Sequence, residues 1–314
     1  MLFGKYQFST VFINDAILPP YKGSTFRGGF GHALKHGVCA SPHQSCDQCM
    51  MAKQCLYVLL FEPKLLKNNL NDVRQMSTIP SPFVIEPPST KKTHFTTSES
   101  FDFHLLLFGD NNKYLPYVIF AFDQMGKQGV GKYVDSHRGQ FKLQTVNHRN
   151  TLVYSDEKMI SDSIDNIETL TLDAFVKSPP NTHTIKMILD TPLRFKIERK
   201  LSKELTFENL IRVMLRRISF LLATYGSGNP NLNYTDIIQR AKAVKMSQNN
   251  LQWYNWSRYS ARQDRKMNMG GLIGSVIYEG NLDEFMPLIH FCSKVHMGKQ
   301  TSFGLGKIRC EKLN

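Results

Sequence analysis

Twice in this chain a helix-like run ends in a turn of interleaved glycine and lysine and passes directly into a strand-like run. The first turn is Met125-Gly126-Lys127-Gln128-Gly129-Val130-Gly131-Lys132. The second runs from His296 to Arg309 and contains Gly298, Lys299, Gly304, Gly306 and Lys307. The same device at the same place in two successive halves predicts two copies of one α+β unit. Glycine, lacking Cβ, lets a backbone approach a phosphate closely, with N–H groups turned toward it. Basic side chains among the glycines favour an anionic partner.

Reading along the chain supports that duplication. Residues 3–14 have strand character, Pro19-Pro20 ends it, and Ser24 or Thr25 can cap a helix to about His36. Leu56 to Phe61 is predicted as a short apolar strand stopped by Pro63. Residues 64–98 read as loop with one brief strand near 82–88. Phe101–Phe108 is a predicted strand, Tyr114–Met125 a helix, and Phe141–Val146 a strand after the first glycine turn. The second half repeats the order. His183–Ile197 has strand character, and Phe207, Leu210, Ile211, Met214, Leu215, Ile218 and Leu221 hold a 3.6-residue period through a helix over 206–225. Tyr234–Lys245 is a further predicted helix. Strands follow over 251–263 and 272–278, a helix over 282–295, and a last strand beyond the second glycine turn. The expected architecture is α+β: two tandem ferredoxin-like (RRM-like) β-α-β-β-α-β domains, 1–150 and 183–314, joined by a polar linker over 151–182. Such a sheet is a platform for single-stranded RNA.

Charge points the same way. Of the 314 residues, 39 are Lys or Arg and 26 Asp or Glu, a net charge of +13. The excess is split evenly between the halves, with no basic tail, which suits a long polyanion lying on folded surfaces. No apolar run approaches the ~20 residues of a membrane span. The N-terminus lacks the charged-then-apolar order of a signal peptide, so the expected location is the cytoplasm, with no membrane partner.

In that compartment, clustered cysteines signal metal rather than disulfides. Cys39, Cys46, Cys49 and Cys55 follow a C-x6-C-x2-C-x5-C spacing. The central C-x-x-C pair places two thiolates on one ion in a tight turn, and the flanking two can close a tetrahedron. The expectation is a structural Zn²⁺ in a cysteine-rich insertion at 39–55, directly after the first helix. An iron–sulfur cluster uses the same ligands. Cys292 and Cys310 stand apart as small apolar residues.

The first helix carries Gly28, Gly29 and Gly31, each costing about 1 kcal/mol relative to alanine, so something there requires close approach. Phe26, Phe30, Ala33 and Leu34 form its apolar face. His32 and His36, four apart, share a different face, with Lys35 beside them and Tyr21, Lys22 and Arg27 upstream. Metal-free RNA cleavage needs a base for the 2′-OH, an acid for the 5′-oxygen and a cation for the phosphorane, and histidine can fill either proton role near neutral pH. A third cluster, Trp253-Tyr254-Asn255-Trp256-Ser257-Arg258-Tyr259-Ser260-Ala261-Arg262, interleaves aromatic and arginine residues as nucleotide-stacking surfaces do; alternation puts Arg258 and Arg262 in phase, facing solvent. Arg212 and Arg216 share a helix face with Glu208 and read as a solvated face.

Four stretches, in order, carry a family resemblance. They are Leu18-Pro19-Pro20-Tyr21-Lys22-Gly23-Ser24-Thr25-Phe26-Arg27-Gly28, the cysteine loop ending in Leu60-Phe61-Glu62-Pro63, Arg258-Tyr259-Ser260-Ala261-Arg262-Gln263, and Gly298-Lys299 with Phe303-Gly304-Leu305-Gly306. Together they resemble the CRISPR precursor-RNA-processing endoribonucleases of the RAMP superfamily over nearly the whole chain. The resemblance implies metal-independent cutting of CRISPR repeat RNA to release guide crRNAs. The 2′-OH attack would leave a 2′,3′-cyclic phosphate and a 5′-OH, with no catalytic metal. The partners it implies are repeat RNA and other CRISPR effector subunits. The terminal glycine loop is the family's hallmark and carries over to Gly298 through Gly306. Its catalytic histidine lies in or just after the first helix, where His32, His36 and His43 all stand. His32 and then His36 come first because their shared face leaves the core side free; His43 lies in the metal loop. The expected RNA contacts are Arg27, Lys35, Arg258, Arg262, His296, Gly298, Lys299, Gly304 and Gly306. Two other readings fit the same charge and motifs: a non-catalytic RAMP subunit that holds crRNA in an effector complex, and a zinc-stabilised nucleic-acid-binding protein outside CRISPR.

Overall fold

A computed structural model describes residues 1–69, 79–160, 167–172, 181–260 and 265–313. The chain packs as two units, Met1–Thr169 with Thr224–Gly228, and Leu170–Ala223 with Asn229–Asn314.

In the first unit the strand Leu2–Phe12 alternates from Gly4 onward. Tyr6, Phe8, Thr10 and Phe12 are buried while Lys5, Gln7, Ser9 and Val11 face outward, the period of a sheet covered on one face. Helix α1 (Gly23–Val38), strands Phe83–Glu86 and Ser100–Phe108, a helix over Leu115–Gln128 and strand Phe141–His148 complete a β-α-β-β-α-β order. The antiparallel strands lie fourth, first, third, second across the sheet, so Tyr6 stands opposite both Leu105 and His148. Both helices cover the buried face with aromatic rings. Phe30 stacks on Phe122 at 4.6 Å, Phe26 meets Phe103 edge-on at 5.0 Å, and Phe8 lies 4.8 Å from Phe103. Such ring pairs add ~1 kcal/mol each beyond their buried area.

The apolar face predicted for α1 is present, and the helix start differs. Phe26, Phe30, Ala33 and Leu34 are all buried as its periodicity requires. The helix starts at Gly23, earlier than a Ser24 or Thr25 cap allows, and its N-cap is Lys22. The Lys22 side chain is wholly buried and donates from Nζ to the Thr90 carbonyl (2.7 Å) and the Pro20 carbonyl (3.3 Å), pinning the helix start to the loop before the Ser100 strand.

Leu56–Phe61, predicted as a strand, is a helix, α2. A six-residue apolar run does not distinguish the two by period. Tyr57 and Phe61, four apart, stack at 5.2 Å, which only a helix brings about. The next helix, Leu115–Gln128, is α3. Residues 151–182, expected as a linker, begin with strands Thr151–Ser155 and Lys158–Met159 that extend the first sheet beyond Phe141–His148, and Glu168–Thr169 pairs with Leu2–Phe3.

The second unit repeats the order with strand Thr184–Leu193, helix α4 (Phe207–Tyr225), strands Lys245–Tyr254 and Gly271–Glu279, a helix over Met286–Val295 and strand Ile308–Leu313. Its antiparallel sheet runs second, third, first, fourth, the same arrangement as in the first unit. The extra helix α5 (Tyr234–Ala241) ends sooner than predicted. Strand pairing already begins at Lys245, because the polar edge segment Lys245–Asn250 is ordered by its backbone ladder rather than by buried side chains. Met286–Val295 is α6. The aromatic segment splits: Tyr254 ends one strand, and Ser257–Ser260 pairs with Arg265–Asn268 as a separate two-stranded sheet.

Candidate nucleic-acid interface

On α1 the glycines divide by what faces them. A Cβ at Gly29 would stand 2.7 Å from the Met125 sulfur, and one at Gly31 would stand 2.6 Å from the Phe61 ring. These two let α3 and α2 lie close against α1. Gly28 has open space around it. Gly28, His32 and His36 sit one turn apart and are all exposed, forming a strip clear of side-chain bulk before the first histidine. Its flanks are basic: Lys35 lies with Nζ 5.7 Å from the Tyr57 ring, and the Arg27 guanidinium packs 4.7 Å over the Phe61 ring. Arg27 is thus held flat against the unit rather than reaching freely outward. His43 is exposed within the cysteine loop, away from this strip in sequence and off the helix.

The two glycine turns occupy equivalent places, after the second helix and before the fourth strand of each unit. In the first, Gly129 (φ +78°) ends α3 with its N–H on the Met125 carbonyl (3.0 Å), and Gly131 (φ +86°) runs against the Ile17 backbone. In the second, Gly298, Gly304 and Gly306 all hold positive φ, which a residue with a Cβ adopts at a cost of about 1–2 kcal/mol. A Cβ on Gly306 would collide with the Met297 carbonyl.

This second loop is a built structure rather than an open cradle. The N–H groups of Met297, Lys299, Phe303, Gly304 and Gly306 are bonded to the carbonyls of Gly306, Arg194, Gln300, Thr301 and Pro192, at 2.7–3.1 Å. His296 has no exposed surface, and its Nδ1 lies 3.1 Å from the Leu305 carbonyl. Buried Arg217 donates to the carbonyls of Val295 (3.0 Å) and His296 (3.1 Å), closing the end of α6. The expected direct contacts of His296, Gly304 and Gly306 with phosphate therefore give way, in this structure, to a role in shaping the loop. The sequence pattern of glycine and histidine could not distinguish these roles, because both need the same residues.

What the loop presents is Lys299. Its ammonium is held below the usual lysine pKa by partial burial and then by the neighbouring cations Lys196, Arg216 and Arg194. Lys196 and Arg216 are exposed, and Arg194 is fixed by a 2.8 Å bond from its guanidinium to the Gly270 carbonyl. The positive field of these three residues at Lys299 favours an anion beside its ammonium. Arg194, Lys196 and Arg216 were not singled out from sequence as binding residues. Arg212 does pair with Glu208 at 2.6 Å, as a solvated face would, but Arg216 joins the Lys299 group. The available signal was the run Arg194, Lys196, Arg199, Lys200, Lys203, which forms a short basic hairpin, Lys196–Ile197 with Lys200–Leu201.

Arg258 also reaches the loop, with its guanidinium 4.7 Å over the Phe303 ring and burial lowering its pKa. It is half-buried, not solvent-facing as alternation suggested. Arg262 lies outside the described residues.

Among the described residues no helix is long and apolar enough to cross a membrane. The chain thus carries two antiparallel α+β units, one with an exposed histidine strip and one with basic residues around a glycine loop. The chain belongs to the AF_1859_N N-terminal-domain family, whose model matches residues 1–168, and its residues 187–308 match the model of the CRISPR-associated endoribonuclease Cas6. An uncharacterized protein of Archaeoglobus fulgidus is 26% identical over 302 residues, covering 93% of this chain and 92% of its own. A Cas6 product complex superposes with TM-score 0.57 at 11% identity, covering 99% of this chain and 100% of that one. Thermus thermophilus Cas6 gives 0.54 at 11% identity, with 99% and 98% covered. A partial Cas6-RT-Cas1–Cas2 complex gives 0.61 at 12% identity; all but 1% of this chain matches there, yet it spans only 46% of that chain. At these identities the structural likenesses establish the fold.

Proposed function

We propose that the chain cuts CRISPR repeat RNA without a catalytic metal, its two ferredoxin-like units dividing the work. The second unit holds the RNA on Lys299, Lys196, Arg216 and Arg194 around the Gly298–Gly306 loop. The first carries the chemistry on His32 and His36. One imidazole removes the proton from a 2′-OH and the 2′-oxygen bonds to the adjacent phosphorus. The bond to the 5′-oxygen breaks, and the other imidazole returns a proton to that oxygen. Products are a 2′,3′-cyclic phosphate and a 5′-OH. Lys35 supplies positive charge for the phosphorane.

The observation that carries this reading is the exposed Gly28–His32–His36 strip on the first helix of a chain whose second unit matches the Cas6 family model. Neither imidazole is consumed by the core, whereas buried His148 and His296 face the carbonyls of Lys5 and Leu305. Incubating the protein in EDTA with the repeat RNA from its own genome tests it. His32→Ala and His36→Ala are expected to lower the cleavage rate at least ~100-fold with RNA affinity retained, the usual worth of acid–base groups. Intact cutting by both variants removes these residues from catalysis. Binding without any cutting by the parent protein instead supports a guide-RNA-holding subunit.

A further inference from the structure

We propose that Cys39, Cys46, Cys49 and Cys55 form a tetrathiolate site for one Zn²⁺ that folds the segment between α1 and α2. This stands independently of RNA cleavage. The segment has seventeen residues and no helix or strand, only successive turns closed by Gln44 N–H on the Ser41 carbonyl, Gln48 on Ser45, and Ala52 on Cys49. Not one of its residues is buried. Only six are even partly so, and four of these are the cysteines, the others being Ser41 and Ala52. Met50 and Met51, the large apolar side chains available for a small core, point out at 96% and 56% exposure.

A loop this long without secondary structure needs some source of order. Here the side chains turned inward are not hydrocarbon but thiols. Burying four small thiols supplies little hydrophobic stabilisation, whereas a zinc ion held by four thiolates contributes folding free energy outright. The thiols come from both ends of the segment and from its middle. Cys39 directly follows α1 and Cys55 caps α2, with Cys46 and Cys49 in the turns between them. Among the described residues no three His, Cys, Asp or Glu are grouped so as to hold a metal ion. Binding would draw the thiols together, and no buried side chain of the segment opposes that movement.

The test uses the full-length protein purified without added chelator. Elemental analysis should find one zinc per chain. Native thiol titration should leave the four cluster cysteines unreactive until a chelating or zinc-displacing agent releases both metal and thiols together. Cys292 and Cys310 provide the internal contrast, since burial pushes their thiols up to about 12 and about 11 and a chelator should not change their reactivity. Replacing zinc with Co²⁺ should give the visible absorption of a tetrahedral thiolate complex, which Cys46→Ser and Cys49→Ser lower. A folded, metal-free protein whose four thiols react at once overturns the proposal. So does brown protein carrying iron and sulfide, which would make the site a cluster.

Discussion

Gly28→Ala separates packing from function on α1 in a single methyl group. Within a helix, alanine is more stable than glycine by about 1 kcal/mol. At Gly28 that gain is unopposed, since nothing lies within 4 Å of the added Cβ. In a unit of this size, 1 kcal/mol raises Tm by roughly 2–4 °C. Gly31→Ala is the contrast: its methyl would stand 2.6 Å from the Phe61 ring, wedged between α1 and α2. Overpacking of this kind costs about 1–3 kcal/mol, cancelling or exceeding the helix gain. Unfolding should be followed by calorimetry or far-UV circular dichroism, because Trp253 and Trp256, the two tryptophans, both lie in the second unit and are silent for the first. The Gly28 variant should be the more stable of the two and more stable than the parent. It should also cut repeat RNA more slowly, because the methyl narrows the strip one turn before His32. Equal shifts in both variants would refute the packing argument. A stabilised Gly28→Ala protein that cuts at the parental rate would remove Gly28 from the RNA path.

Two further outcomes follow from the second unit. Lys299→Ala should weaken RNA binding across sequences and reduce the steepness of the log affinity–log salt plot by about 0.7, the contribution of one phosphate contact on a single strand; an unchanged slope in titrations over several salt concentrations would place Lys299 off the RNA. Asp283 accepts the N–H groups of Asn181 (2.8 Å) and Thr182 (2.9 Å), which hold its carboxyl below the ordinary aspartate value. A folded pKa below the unfolded one means that this stabilisation is present above the unfolded value and is lost as pH falls through the folded one. Acid titration of Asp283→Asn should therefore show less loss of stability below about pH 4; a pH profile identical to the parent's contradicts the assignment.

The parts legible in the sequence were those written as periods. The spacing through Phe207–Leu221 gave α4, while residues 3–14 were legible as a strand but not in which face is buried. Paired glycine turns located equivalent junctions of two units. Leu56–Phe61 failed because six apolar residues fit either a strand or a helix, and packing against α1 decided between them. The polar strand from Lys245 failed because an edge strand held by its backbone leaves no hydrophobic signature. At the interface the histidine strip was readable from i, i+4 spacing alone. The cation group was not, since Lys299, Arg194, Lys196 and Arg216 come from three separate stretches of sequence that only the fold collects. His296 shows the opposite error: it stands in a basic glycine-rich stretch yet is wholly buried.

The most direct measurement concerns the 2′-hydroxyl. Two repeat RNAs, identical except for a 2′-deoxy substitution at the cut position, are incubated with the protein in EDTA. The RNA strand should be cut once, with the upstream product ending in a 2′,3′-cyclic phosphate, while the deoxy strand is bound with similar affinity and left intact. Cleavage of the deoxy strand, or loss of RNA cutting in EDTA that a divalent metal restores, would contradict a histidine-driven attack by the 2′-oxygen.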